Sequence, residues 1–216
     1  MTNVQGAKKH RATVITREEF EDALESARGL DSHPYYSLRD QAILCILWLT
    51  GKRAEEVAQL KLDDIKLSGG LLRITFMVAK KRNSSEWDRR RTKAVSLTDP
   101  YTEPVTRYYH YMLENHPDCP YLFPTTTLSN LTGQVIIRPE THLNRESIWR
   151  RVTLHGPETW THLYRETQGA RIVRSQNNQI AALFAVKQRL DLEKLDTAMK
   201  YIQRYGIDII QEAKIG

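Results

Sequence analysis

The run AILCILWL at residues 42–49 is apolar on nearly every side. A helix with no polar face has to be enclosed by other elements, so the rest of the chain must build a domain around this one. The run stops at Thr50-Gly51, where glycine offers a backbone conformation that ends helices. Directly beyond it, Glu55, Glu56, Val57 and Leu60 mark a second helix with Arg53 at its entrance. A charged group placed immediately behind a buried helix has a rigid mount.

The chain has 216 residues, near the usual range for one domain with a substantial core. Its net charge of +6 and isoelectric point of about 9.3 point toward a polyanionic partner, with nucleic acid favoured. Cys45 and Cys119 are the only cysteines, and Cys45 lies inside the apolar run. Two thiols so placed suggest neither a disulfide framework nor a cysteine-rich metal site, and the chain reads as intracellular and cytoplasmic, with no membrane contact expected. No apolar stretch reaches the length of a membrane span, and the N-terminus MTNVQGAKKHRATVIT lacks the hydrophobic segment of a secretory signal. Residues 1–15, with Lys8, Lys9, His10 and Arg11, read as a basic tail.

Helices dominate the remaining pattern. Thr16-Arg17-Glu18-Glu19 is a capping box that starts a helix with Phe20, Leu24 and Ala27 on one face. Leu72, Ile74, Phe76 and Val78 alternate with Leu71, Arg73, Thr75 and Met77 as in a strand, and residues 93–97 offer a second. Between them, KKRNSSEWDRRRT is a basic turn. Val105, Tyr108, Tyr109, Met112 and Leu113 predict an amphipathic helix ending near His116-Pro117. Residues 120–141 read as loop-rich. Helices are expected through residues 146–152 and 162–173 and again from 180 to 213. The expected fold class is mainly α with a small antiparallel β-sheet, an α+β arrangement.

Two arginine-bearing segments, TGKRAEEVAQLKLDDI around Arg53 and THLYRETQGARIV around Arg165, lie more than a hundred residues apart, and YIQRYG follows the second. RDQAILCILWLTGKRAEEVAQLKLDDI resembles the first arginine box of the tyrosine recombinase (lambda-type integrase) family: a buried helix ends in Thr-Gly-x-Arg, Glu follows the Arg by three, and a Leu-x-x-x-Asp-Ile tail closes the segment. Arg53, Glu56, Leu60, Asp64 and Ile65 fill those places. The resemblance continues in YLFPT at residues 121–125, in the NRESIWRRV helix, in THLYRET as a His-x-x-Arg box and in LDTAMKYI as a tyrosine box. It implies a catalytic-domain fold over residues 16–202, with residues 203–216 as a C-terminal tail docking on its own or a neighbouring protomer.

The resemblance also implies a chemistry. Attack on a phosphodiester builds negative charge on non-bridging oxygens, which planar guanidinium groups meet with forked hydrogen bonds; by resemblance these are Arg53 and Arg165, with Glu56 orienting. The nucleophile is Tyr201, with Tyr205 in reserve. Lys80 aligns best with the general acid for the departing 5′ oxygen, with Lys81 beside it as the alternative because neighbouring strand residues point to opposite faces, and His162 aligns with the acid–base histidine. Lys81, Arg82, Arg89, Arg90, Arg91, Arg145 and Arg150 are the expected DNA-binding residues. The implied product is a 3′-phosphotyrosyl link on double-stranded DNA, formed without metal or other cofactor, within a homotetramer. A type IB topoisomerase and a non-catalytic DNA-binding relative are the alternatives.

Three features depart from the family pattern. Leu192 stands nine residues before Tyr201, where His or Trp usually donates to the phosphate, with Lys187 or Lys194 as substitutes. Glu166 replaces a frequent second histidine. Only fifteen residues precede Thr16, where most members carry a core-binding domain, so the chain alone is expected to bind DNA weakly and with strong salt dependence.

Overall fold

The computed structural model describes residues 14–29, 33–78, 85, 89–129, 131–156 and 160–206. Lys80, Lys81 and Arg82, residues 1–13 of the basic tail and residues 207–216 of the C-terminal tail lie outside the described residues.

The apolar run forms the middle of α2 (Pro34–Thr50), and residues 43–47 have no exposed surface at all. Pro34 occupies the first turn, where a missing N–H costs nothing, and His33 caps the amide of Tyr35. Gly51 ends the helix in the left-handed conformation, φ 61°. Around α2 pack α1 (Arg17–Arg28), the short α3 (Ala54–Ala58), α4 (Glu103–Asn115), α5 (Arg145–His155) and α6 (Thr161–Arg174). The Thr16/Glu19 capping box starts α1 as its sequence predicts, burying Phe20, Leu24 and Ala27. Phe20 stacks on Trp48 with ring centroids 4.2 Å apart, fastening α1 to the end of α2 that leads to Arg53.

Three strands, β1 (Ile65–Ser68), β2 (Leu71–Met77) and β3 (Arg90–Ser96), form an antiparallel sheet in that order. The alternation in β2 is realised: Leu72, Ile74 and Phe76 are fully buried. β1 is too short for its alternation to stand out in the sequence. Residues 120–141 are a correction. Where the sequence reads as loop, β4 (Pro124–Leu128) pairs antiparallel with β5 (Val135–His142), making a second, two-stranded sheet. Val135, Ile136 and Ile137 do not alternate in type, and Pro124 and Pro139 speak against strands. The register shift between Pro124 and Thr125 accommodates Pro139, which has no N–H to give to a ladder.

The last third is helical, with α7 (Gln179–Arg189) and α8 (Leu195–Tyr205). Both pack on α6 and on each other around a separate, smaller apolar cluster of Ala170, Ile172, Val173, Ala182, Val186, Leu190, Ala198, Tyr201, Ile202 and Tyr205. α8 continues through residues 203–205, which the sequence assigns to a tail, because Tyr205 packs into this cluster. At the other end, buried Ile15 belongs to the main core, and its N–H donates to Thr167 Oγ1 on α6 at 2.8 Å.

Candidate active site

Arg53 is the N-cap of α3, and the side chain three residues on fixes it: its Nη1 donates to Glu56 Oε1 and its backbone N–H to Glu56 Oε2, both at 3.1 Å. Glu56 is 1% exposed and Arg53 27%, so the carboxylate is enclosed while part of the guanidinium faces solvent. A buried carboxylate persists only when paired, which ties the orientation of Arg53 to that of Glu56.

Arg165 reaches the same place from α6. Although 3% exposed, it has no carboxylate partner at hydrogen-bonding distance among the described residues; its Nη1 donates to the Gly51 carbonyl at 2.9 Å and its Nη2 to the Leu190 carbonyl. Burial, and then the like charge of Arg53, push the guanidinium below its ordinary pKa, with Tyr201, Glu56 and Asp191 opposing. Two carbonyls orient the group without neutralising it. Since guanidinium carries five N–H donors, others remain for an anion, and an anion between the two arginines would relieve their repulsion.

Tyr201 lies 7% exposed on α8, its ring against the backbone of Gly169 on α6. A Cβ at position 169 would sit 2.2 Å from Tyr201 Cδ1 and Cε1, so only glycine admits the ring there. Burial first, then the charge of Glu166 and a hydrogen bond with it, raise the phenol to about 12 against the opposing pull of Arg165. Tyr205, one turn on, donates to Glu166 Oε2 at 2.9 Å.

Glu166 joins several of these groups. His162 Nε2 lies 3.2 Å from its Oε1, and Arg204 Nη1 donates to its Oε2 at 2.9 Å. Burial alone would raise its carboxyl, yet hydrogen bonds from His162 and Tyr205 and the charge of Arg204 bring it to about 2. His162 itself is 64% exposed and touches the cluster through Glu166.

The structure thus brings together Arg53, Glu56, Arg165 and Tyr201, and links His162 to them. Leu192 is partly buried against the smaller cluster, and its side chain lines a cleft with Val78, Arg91, Lys187 and Asp191. Of its two suggested substitutes, Lys187 is at that cleft and Lys194 is the exposed N-cap residue of α8. The expected DNA-binding residues fall into two groups. Arg89, Arg90 and Arg91 stand at the start of β3, Arg90 paired with Asp64 at 3.0 Å. Arg145 and Arg150 are exposed on α5, where Arg150 pairs with Glu146 and Arg145 shares a hollow with Trp149 and Thr161.

Lys52, Lys93 and Asp191 form a further charged group that sequence patterning does not reveal. Lys52 Nζ lies 2.8 Å and Lys93 Nζ 3.0 Å from Asp191 Oδ2. The available signal was a lysine inside the Thr-Gly-x-Arg turn, directly behind a buried helix. Among the described residues, no three His, Cys, Asp or Glu side chains gather as metal ligands would. No helix among them is long and apolar enough to cross a membrane.

The model of the phage integrase family matches residues 13–206. The tyrosine recombinase XerD of Halalkalibacterium halodurans is 42% identical over 67 residues, covering 31% of this chain and 21% of that one. Among solved structures, the XerH site-specific recombinase bound to difH substrate in a pre-cleavage complex matches with a TM-score of 0.62 and 19% identity, over 88% of this chain and 50% of that one. XerA recombinase matches with a TM-score of 0.58 and 19% identity, over 87% and 59%. The chain therefore spans about half the length of these solved relatives. At such identities the likeness establishes the fold, a mostly helical one with small antiparallel sheets.

Proposed function

Because the chain belongs to the phage integrase family, whose model covers residues 13–206, we propose that it cleaves and rejoins double-stranded DNA as the catalytic domain of a site-specific recombinase. The observation that carries this reading is the setting of Arg165: a buried guanidinium, oriented by two backbone carbonyls, beside a second arginine and a phenol. Arg53 has a carboxylate partner in Glu56, whereas Arg165 is oriented by carbonyls alone and keeps its positive charge to offer.

In the proposed reaction Tyr201 Oη attacks the phosphorus, forming a P–O bond to tyrosine as the bond to the 5′ oxygen breaks. Arg53 and Arg165 take up the charge that builds on the two non-bridging oxygens, with Glu56 holding Arg53 in register. His162 accepts the phenol proton, and Lys80 supplies one to the departing 5′ oxygen. The free 5′ hydroxyl then attacks the phosphotyrosyl link of a partner strand, reversing these steps and releasing Tyr201. Strand exchange between two sites requires several protomers, for which we propose a homotetramer assembled on DNA. The arginines at the start of β3 and on α5, with Lys81 and Arg82, hold the duplex by its phosphates. Affinity falls steeply with salt, as expected when cations replace counterions along the backbone.

A library of nicked duplexes with randomised sequence tests this reading, because a nick traps the covalent intermediate. A denaturant-resistant protein–DNA adduct that forms with the native chain and disappears in Tyr201→Phe supports it, and sequencing the trapped DNA identifies the site. Adduct with supercoil relaxation but no strand exchange would mean topoisomerase activity. Retained binding without adduct would reduce the chain to a binding module.

A further inference from the structure

Asp191 is the one non-glycine residue among the described ones with a positive φ, 50°. Glycine adopts this conformation more readily, and aspartate is among the few side chains that tolerate it. The turn has two consequences. The carbonyl of the preceding Leu190 faces Arg165 Nη2 and accepts its hydrogen bond. The Asp191 carboxylate faces inward, where it meets Lys52 Nζ at 2.8 Å and Lys93 Nζ at 3.0 Å.

Lys52 is 1% exposed, with its ammonium 4.8 Å from the centre of the Phe76 ring and 3.9 Å from Glu56 Oε2. A lysine so enclosed retains its charge only through its partners. It immediately precedes Arg53, while Lys93 belongs to β3, and Asp191 sits in the connection between α7 and the helix that carries Tyr201. One carboxylate thus joins three separate stretches of the site. We propose that Asp191, with Lys52 and Lys93 as counter-ions, is a positioning residue that sets the tyrosine-bearing helix and the Leu190 carbonyl against the arginine clamp. The proposal rests on the recombinase reading of this site. Arg53, Arg165, Lys52 and Lys93 stand against only two carboxylates, Glu56 and Asp191, so Asp191 fixes geometry while the site as a whole keeps a positive field to offer a phosphate.

The test uses the native chain and a nicked duplex that it cleaves. Asp191→Asn keeps the size and the tolerance of the turn, and Asp191→Gly keeps the turn and removes the side chain. Both should form adduct more slowly, by roughly 100-fold as for misplacement of a reacting group by about 1 Å, with unchanged affinity for the same duplex. Lys52→Met should lower the melting temperature, because it unbalances a buried carboxylate; the double variant Lys52→Met/Asp191→Asn should regain melting temperature while cleavage stays slow. Cleavage that recovers together with stability, or native rates in both Asp191 variants, would overturn the proposal. Nitrogen-detected exchange of the Arg165 guanidinium protons gives a reading that needs no activity. They should be protected in the native chain and exchange faster in Asp191→Asn, and equal protection would overturn the proposal even if the native chain forms no adduct and the recombinase reading itself fails.

Discussion

Arg53 stands directly behind α2, whose residues 43–47 have no exposed surface, whereas Tyr201 stands on α8, where Leu195 and Met199 are 43% and 41% exposed. On neighbouring α7, Ile180 and Phe184 are 71% and 58% exposed. The arginine end is therefore anchored in the main core, and the tyrosine end rests on a small cluster supplemented by polar links through Glu166, Asp191 and the Leu190 carbonyl. The Arg53 end cannot shift without unpacking the domain centre, whereas α8, which carries the proposed nucleophile, rests on the smaller cluster and can shift more readily. A fixed electrostatic frame with an adjustable tyrosine suits the proposed reaction, in which Tyr201 alternates between free and DNA-linked states.

Removing the fixed frame should have the largest effect. Arg165→Ala takes away a charged donor and leaves the Gly51 and Leu190 carbonyls without it, and adduct formation should fall on the order of 1,000-fold, as when a preorganised donor is deleted. Single-turnover cleavage measures this. Packing should show the same asymmetry: Ile46→Ala in α2 should cost about 4–5 kcal/mol of unfolding free energy and Ile202→Ala in α8 about 2–3, the two ends of the range for buried isoleucine. Equal values in denaturant titrations would mean that the two ends are equally well anchored.

Gly169→Ala probes the seat of Tyr201, the proposed nucleophile. Its Cβ would stand 2.2 Å from the Tyr201 ring, so the ring must move, and cleavage should slow by about tenfold or more with DNA affinity retained. The smallest effect is expected at Glu166. In Glu166→Gln the negative charge that raises the phenol is gone, so Tyr201 should titrate below its present value of about 12 and the alkaline limb of the cleavage profile should move to lower pH. Stability should carry an opposite acid signature. Glu166 is held at about 2, below its ordinary 4.5, so its contribution is present above pH 4.5 and lost as pH falls through 2. The difference in melting temperature between native chain and variant should therefore shrink across that window.

The sequence carried the frame more clearly than the adjustable part. The unbroken apolar run of α2, the capping box of α1 and the alternation of β2 are local patterns whose period survives in the fold. The β4–β5 hairpin was hidden because two prolines and a run of adjacent β-branched residues obscure its alternation, and the irregular register that accommodates them depends on pairing rather than on local preference. In the site, Arg53 and Glu56 are three residues apart on one short helix, so their pairing could be read directly. The bond from Arg165 to Leu190 spans 25 residues and the ion pair of Lys52 with Asp191 spans still more. Such contacts appear only when α6, α7 and α8 have packed. Glu166 read as the loss of a histidine, and its grip on His162, Arg204 and Tyr205 depends on the same packing.

The most direct test of the central claim is to digest the trapped protein–DNA adduct and locate the modified peptide by mass spectrometry. The nucleotide should be attached to Tyr201, in the peptide that begins after Lys200. Attachment at Tyr205, or at any residue outside α8, would contradict it.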